Sequence, residues 1–208
     1  MTQPLTPLLQ ARELSFGWPG QPLLRGLNVD ILPGLTVVRG DEGCGKTTLL
    51  RLLAGEWTPQ AGSLRRTGLD ITPADATWAQ QVCWFDPRST AHDEVVVREL
   101  LARQAERHAG HAPDLLSELI DAFALTPHLH KPMYMLSTGS QRKVWLSLSF
   151  AAQAPVTLLD QPFAALDGPS VRCVRELLED AADHTTRAWV VADHEAPPGL
   201  RLAGDIAL

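Results

Sequence analysis

Apolar and polar positions along the chain fall into blocks of two different periods. Residues 11–18 (ARELSFGW) and 27–32 (LNVDIL) read as two short strands, joined through the turn material Pro19-Gly20-Gln21-Pro22. Residues 35–39 (LTVVR) are a buried-strand candidate, followed at once by GDEGCGK and TTLLRLLAG. In that last segment Leu49, Leu50, Leu52 and Leu53 recur at helical spacing, and Gly55 supplies a stop. A short strand is expected at 82–85. From about 93 to 150 the pattern turns helical: VVVRELLARQAERHAG, then PDLLSELIDAFAL, then a helix beginning after Leu136-Ser137. Strands return at 155–160 and 187–192 around a helix at 169–183, and GDIAL reads as a last edge strand. Strands alternating with helices imply an α/β fold with a mostly parallel sheet, an N-terminal antiparallel β element and an inserted helical block.

Composition narrows this picture without changing it. With 208 residues, 45% of them hydrophobic and 20% charged, the chain is one globular domain rather than a disordered segment. A net charge of −6 excludes a broadly basic nucleic-acid footprint. No nucleic-acid partner is expected. Cys44, Cys83 and Cys173 are too widely spaced for a disulfide framework or a zinc pattern, so a reducing cytoplasm is the simplest setting. The start, MTQPLTPLLQ, lacks the basic and apolar regions of a secretory leader. The longest apolar window, 144–159, is broken by Ser147, Ser149, Gln153 and Pro155, so no membrane span is expected.

The first chemistry lies between the strand at 35–39 and its helix. Gly40-Asp41-Glu42-Gly43-Cys44-Gly45-Lys46-Thr47 matches G-x-x-x-x-G-K-[ST], and Thr48 follows. Glycines let backbone N–H groups turn inward around phosphate oxygens, where side chains would block approach. The positive end of the helix points at the same place. Lys46 is positioned for the β- and γ-phosphates of a nucleotide and the Thr47 hydroxyl for Mg²⁺. A P-loop NTPase core is therefore expected.

Four further motifs follow in order: Leu136-Ser137-Thr138-Gly139-Ser140-Gln141-Arg142; Val156-Thr-Leu-Leu-Asp160-Gln161-Pro162; Ala164-Ala165-Leu166-Asp167; and Val190-Val-Ala-Asp193-His194. Together with the phosphate loop, this set resembles the ATP-binding cassette (ABC) ATPases over essentially the whole chain: signature, Walker B, D-loop and switch histidine beside Walker A. There is a modest likeness to compact export-type cassettes, including the haem-export ATPase. The resemblance implies one domain over 1–208, with a RecA-like core at about 1–90 and 153–208 and a helical subdomain at about 91–152. It implies ATP and Mg²⁺ as ligands, with Asp160 holding the metal through water and His194 on the γ-phosphate. Ser137, Gly139 and Asp167 would serve a nucleotide across a homodimer or paired cassette, and separate transmembrane permease subunits would hold the chain at the inner face of the membrane. Trp18 stands where many cassettes stack an aromatic ring on adenine; an edge or core tryptophan is the other reading. Ser137 would equally serve as a helix N-cap, Asp160 as a strand-ending turn aspartate, and Cys44 as a small residue at a tolerant position.

Three departures from the family pattern matter. Gln161 replaces the usual glutamate that polarises water; a carboxamide orients water but takes no proton, which slows hydrolysis by about 10²–10⁴-fold. Asp86-Pro87 stands where a Q-loop glutamine is expected, with Gln80 and Gln81 before the strand, and Asp86 becomes a further candidate metal ligand. The signature reads LSTGS, keeping the serine and second glycine. Two functions follow: a transporter ATPase of reduced rate, or an ATP-gated regulatory or scaffold subunit that does not hydrolyse.

Overall fold

In a computed structural model, which describes residues 6–105 and 107–208, the chain forms two sheets, six α-helices and two single-turn 3-10 helices among those residues. Residues 1–5, part of the expected single domain and of the segment read for a secretory leader, lie outside the described residues, as does Glu106 of the first predicted helix of the helical block. Strands β1 (Leu9–Trp18) and β2 (Gln21–Ile31) form a long hairpin closed by Pro19-Gly20, and β4 (Ala61–Arg66) pairs with the other edge of β1. The parallel sheet takes β3 (Gly34–Arg39), β5 (Val82–Trp84), β6 (Val156–Asp160), β7 (Ala188–Asp193) and β8 (Gly204–Ala207) in the order β5-β6-β7-β3-β8. The final edge strand forms where the sequence predicts it.

The hairpin extends beyond the predicted strands because its register shifts three times, at 11–14, 14–16 and 16–17. Glu13 sits at φ 51° within the first shift, a left-handed position that breaks the period-two pattern. Strand β4 has only Leu64 buried and therefore carries no apolar signal. Its Gly62 has φ 88°, and a Cβ there would overlap the carbonyl oxygens of Arg12 and Glu13. That close approach lets β4 lie on β1.

Helices cover both faces of the parallel sheet. On one side α1 (Lys46–Ala54) and the antiparallel sheet bury Leu49, Leu50, Leu52 and Leu53 against Val38, Val156, Leu158 and Val190. On the other, α3 (Val97–Ala105), α4 (Pro113–Ala122), α5 (Thr138–Ala151) and α6 (Gly168–Ala182) build a core on Leu35, Leu159, Trp189 and Val191. Strand β7 thus sends Val190 to one core and Trp189 and Val191 to the other, as strand geometry requires. The short α2 (Trp78–Gln81) leads into β5, and Trp78 packs under α1 with its indole N–H on the Leu53 carbonyl at 3.2 Å. Gly55 ends α1 at φ 78°, and its N–H bonds back into the last turn. No described helix is long and apolar enough to cross a membrane.

Gly62→Ala combines backbone overlap with a left-handed φ, so we expect it to cost about 2–4 kcal/mol. Urea unfolding of the variant checks this. A loss below about 0.5 kcal/mol, the usual scatter of surface substitutions, would mean that β4 does not depend on this contact.

Candidate functional site

The parallel register brings the ends of three neighbouring strands to one edge. Arg39 of β3 pairs in register with Asp193 of β7, and Asp160 of β6 with Ala192. The loops leaving these strands therefore start side by side, and ligands of open α/β sheets bind at such carboxyl ends.

The loop after β3 is shaped by glycine. Gly40, Gly43 and Gly45 have φ values of 154°, 80° and 111°, and Gly45 caps α1 without any side chain taking its first N–H groups. A Cβ on Gly40 would come within 2.7 Å of both the Cys44 Sγ and the Leu208 carbonyl oxygen. The Lys46 ammonium folds back inside the loop, donating to the Gly40 and Asp41 carbonyls at 2.5 and 2.8 Å, and Cys44 Sγ lies 3.9 Å away. A buried cation held by neutral carbonyls has no counter-charge, so an entering anion supplies one.

The Thr47 hydroxyl donates to Asp160 Oδ2 at 2.7 Å, joining α1 to the end of β6. Asp160 is buried, and burial raises its carboxyl pKa above the ordinary value. The Thr47 hydrogen bond and the charges of Arg88 and Arg142 oppose that rise. Two hard oxygens meet here, and among the described residues no three His, Cys, Asp or Glu side chains cluster. Mg²⁺ takes sites of this kind, using one or two protein oxygens and completing its shell with phosphate and water. The donor set fits.

A cavity of about 370 Å³ is lined by Glu42, Gly43, Gly45, Lys46, Thr47 and Thr48 from the loop side, and by Arg88, Gln161 and His194 from the other strand ends. Gln161 has φ 47°, a strained value for a non-glycine residue, fixed by its N–H on the Ala192 carbonyl at 2.8 Å. His194 is exposed, and its backbone N–H bonds Asp193 Oδ1 at 2.8 Å.

Other predicted residues lie apart. Trp18 is 51% exposed and packs edge-on against Phe16 and Trp57. Ser137 caps α5, accepting from the Ser140 N–H at 3.2 Å. A Cβ on Gly139 would overlap the Ala165 carbonyl oxygen, so this glycine also permits the approach of the 164–167 loop. Asp167 caps α6 and pairs with Lys143 at 2.5 Å; that hydrogen bond, with help from Ser170, holds its carboxyl well below the usual range. Asp86 directs one oxygen to Arg51 of α1 and the other to the Arg88 N–H.

Sequence reasoning missed three cations. Arg88 lines the cavity; Arg142 bonds the Asp160 and Gln161 carbonyls at 2.9 and 2.6 Å; Lys143 holds Asp167. Arg142 ends the 136–142 motif and Lys143 follows it, which was the available signal. Arg88 carried none, because only tertiary structure brings it to Lys46.

A glycine-shaped loop on a helix N-terminus, with its threonine bonded to an aspartate on a neighbouring buried strand, defines the chain as a P-loop nucleotide-binding protein. A family model described as ABC transporter matches residues 24–164. The Cytochrome c biogenesis ATP-binding export protein CcmA of Pseudomonas syringae is 30% identical over 204 residues, covering 95% of each chain. The Fe(3+) ions import ATP-binding protein FbpC 3 of Rhodococcus jostii is 32% identical over 205 residues, covering 93% of this chain and 56% of that one. A solved ABC transporter ATP-binding subunit superimposes with TM-score 0.79 at 22% identity, over 90% of this chain and 79% of its own. A putative ABC transporter ATP-binding protein from Pyrococcus furiosus does so with TM-score 0.76 at 20% identity, over 96% of both. The chain belongs to the ABC transporter family, as an ATP-binding ATPase of that type.

A carboxyl whose folded pKa exceeds its unfolded one opposes folding above that folded pKa, and the penalty fades as pH falls toward the unfolded value. Ionised Asp160 therefore works against the nucleotide-free fold at neutral pH. Asp160→Asn should leave that fold equally or more stable in thermal unfolding, while weakening Mg²⁺-dependent nucleotide binding about tenfold or more. Lower stability together with intact binding would contradict the role given to this carboxylate.

Proposed function

We propose that the chain binds Mg-ATP in the 370 Å³ cavity, closes on a second cassette and hydrolyses the nucleotide slowly to drive separate membrane permease subunits. The observation that carries this reading is that Lys46, Thr47, Gln161 and His194 line one cavity while Asp160 is bonded to its Thr47. Lys46 leaves the loop carbonyls for the β- and γ-phosphates, and the N-terminus of α1 takes phosphate oxygens on its free N–H groups. Thr47 and Asp160, the latter through water, would hold Mg²⁺, which would supply positive charge to the phosphates. His194 steadies the γ-phosphate. Gln161 orients a water by its carboxamide without accepting the proton, and this sets the rate low.

Ser137 and Gly139 are not among the residues lining the cavity. They open α5, and their hydroxyl and N–H groups would meet the nucleotide of a partner cassette, as would Asp167 beyond β6. In this reading dimerisation completes each site. Proteins named for export and for import align with the chain at comparable identity. By that likeness, cargo and direction belong to the permease, which would hold the cassette at the cytoplasmic face of the membrane. A second reading, an ATP-gated scaffold that does not hydrolyse, rests on Gln161 and on Asp86 being tied to Arg51.

Single-turnover hydrolysis of the purified chain separates the two. We expect phosphate release above buffer background, raised about 10²–10⁴-fold by Gln161→Glu, and no ATP binding by Lys46→Ala. No release from either the wild type or the glutamate variant would leave the scaffold reading, and tight binding by Lys46→Ala would remove the phosphate-loop assignment.

A further inference from the structure

The loop after β5 carries a cation that the motif set does not include. Arg88 lines the phosphate cavity beside Gln161 and His194. In the order β5-β6-β7-β3, β5 is the far strand from β3, so Arg88 enters from the Asp160 side, opposite the phosphate loop. Among the described residues no carboxylate lies within 4 Å of its guanidinium, although four other arginines, Arg12, Arg39, Arg51 and Arg201, pair with aspartates at less than 3 Å.

The backbone beneath Arg88 is held in place. Its N–H donates to Asp86 Oδ1 at 2.9 Å, and the Ser89 N–H donates to the Asp86 carbonyl at 3.1 Å. Asp86 Oδ2 is bound by Arg51 of α1, and Pro87 fixes φ between them. The same helix that opens on the phosphate loop thus anchors the turn that presents Arg88. The guanidinium is close enough to act on the charges of both Asp160 and Arg142.

We infer that Arg88 binds the terminal phosphate and makes the site discriminate nucleoside triphosphate from diphosphate, an inference that rests on the Mg-ATP reading of the cavity. Gln161 leaves this wall without the negative charge of a glutamate, and Arg88 adds a positive one. A γ-phosphate entering here meets net attraction from the β5 and β6 loops, on the side opposite Lys46. A diphosphate bound by the loop and α1 does not extend to that wall. If Arg88 instead only offset the burial of Asp160, its loss would weaken both nucleotides alike, because Asp160 serves the metal in either complex.

The test is equilibrium titration of the full chain with Mg-ADP and with a non-hydrolysable Mg-ATP analogue. A charge-assisted contact predicts that Arg88→Ala weakens the triphosphate about 10- to 100-fold, with ADP held within about threefold. Arg88→Lys should recover part of the loss, since it keeps the charge but not the fork. Arg88 is exposed, so unfolding midpoints without nucleotide should be unchanged; Arg88→Gln gives a second neutral variant. Equal loss for both nucleotides, or no loss for either, overturns the assignment. A wild-type chain that binds neither nucleotide overturns the Mg-ATP reading, and this one with it.

Discussion

The site depends on the parallel alignment of β3, β7 and β6. Hydrogen-bond register sets Arg39 level with Asp193 and Asp160 level with Ala192, so three loops leave the sheet at one edge. The Thr47–Asp160 hydrogen bond closes this arrangement by fixing the start of α1 to the end of β6. Slipping one strand by a residue would turn its side chains to the opposite face and exchange the partners of the two cores. The cores support the register: Trp189 and Val191 pack on the side of α5 and α6, and Val190 on the side of α1.

Several residues named for chemistry also have structural work. Ser137 caps α5, Gly139 admits the Ala165 carbonyl, and Asp167 caps α6 while pairing with Lys143. Helix α5 is thereby tied to Asp167 through Lys143 and to the Asp160–Gln161 backbone through Arg142. A shift at the start of α5 would be felt at the end of β6 without any contact through the cavity.

Legibility in the sequence followed burial. Strands β3, β6 and β7 are buried on both faces and mostly apolar, and their limits were readable to within a residue or so. The hairpin was underestimated because bulges at Glu13 and beyond break its period, and β4 was invisible because an edge strand with one buried residue has no apolar pattern. The same division holds at the site. The phosphate loop is contiguous, so its glycines, Lys46 and Thr47 were identified by spacing alone. Arg88 and Arg142 act on Asp160 from separate elements, and proximity of that kind is set by sheet order and packing rather than by local pattern.

In the function we propose, one chain holds half of each nucleotide site and Mg-ATP brings two halves together. Sedimentation of the purified chain, 22.7 kDa as a monomer, measures this directly. With saturating Mg-ATP the mass should double, and Gln161 should make the dimer long-lived; with Mg-ADP the chain should remain monomeric. A chain that binds Mg-ATP to saturation and still sediments as a monomer would contradict the account.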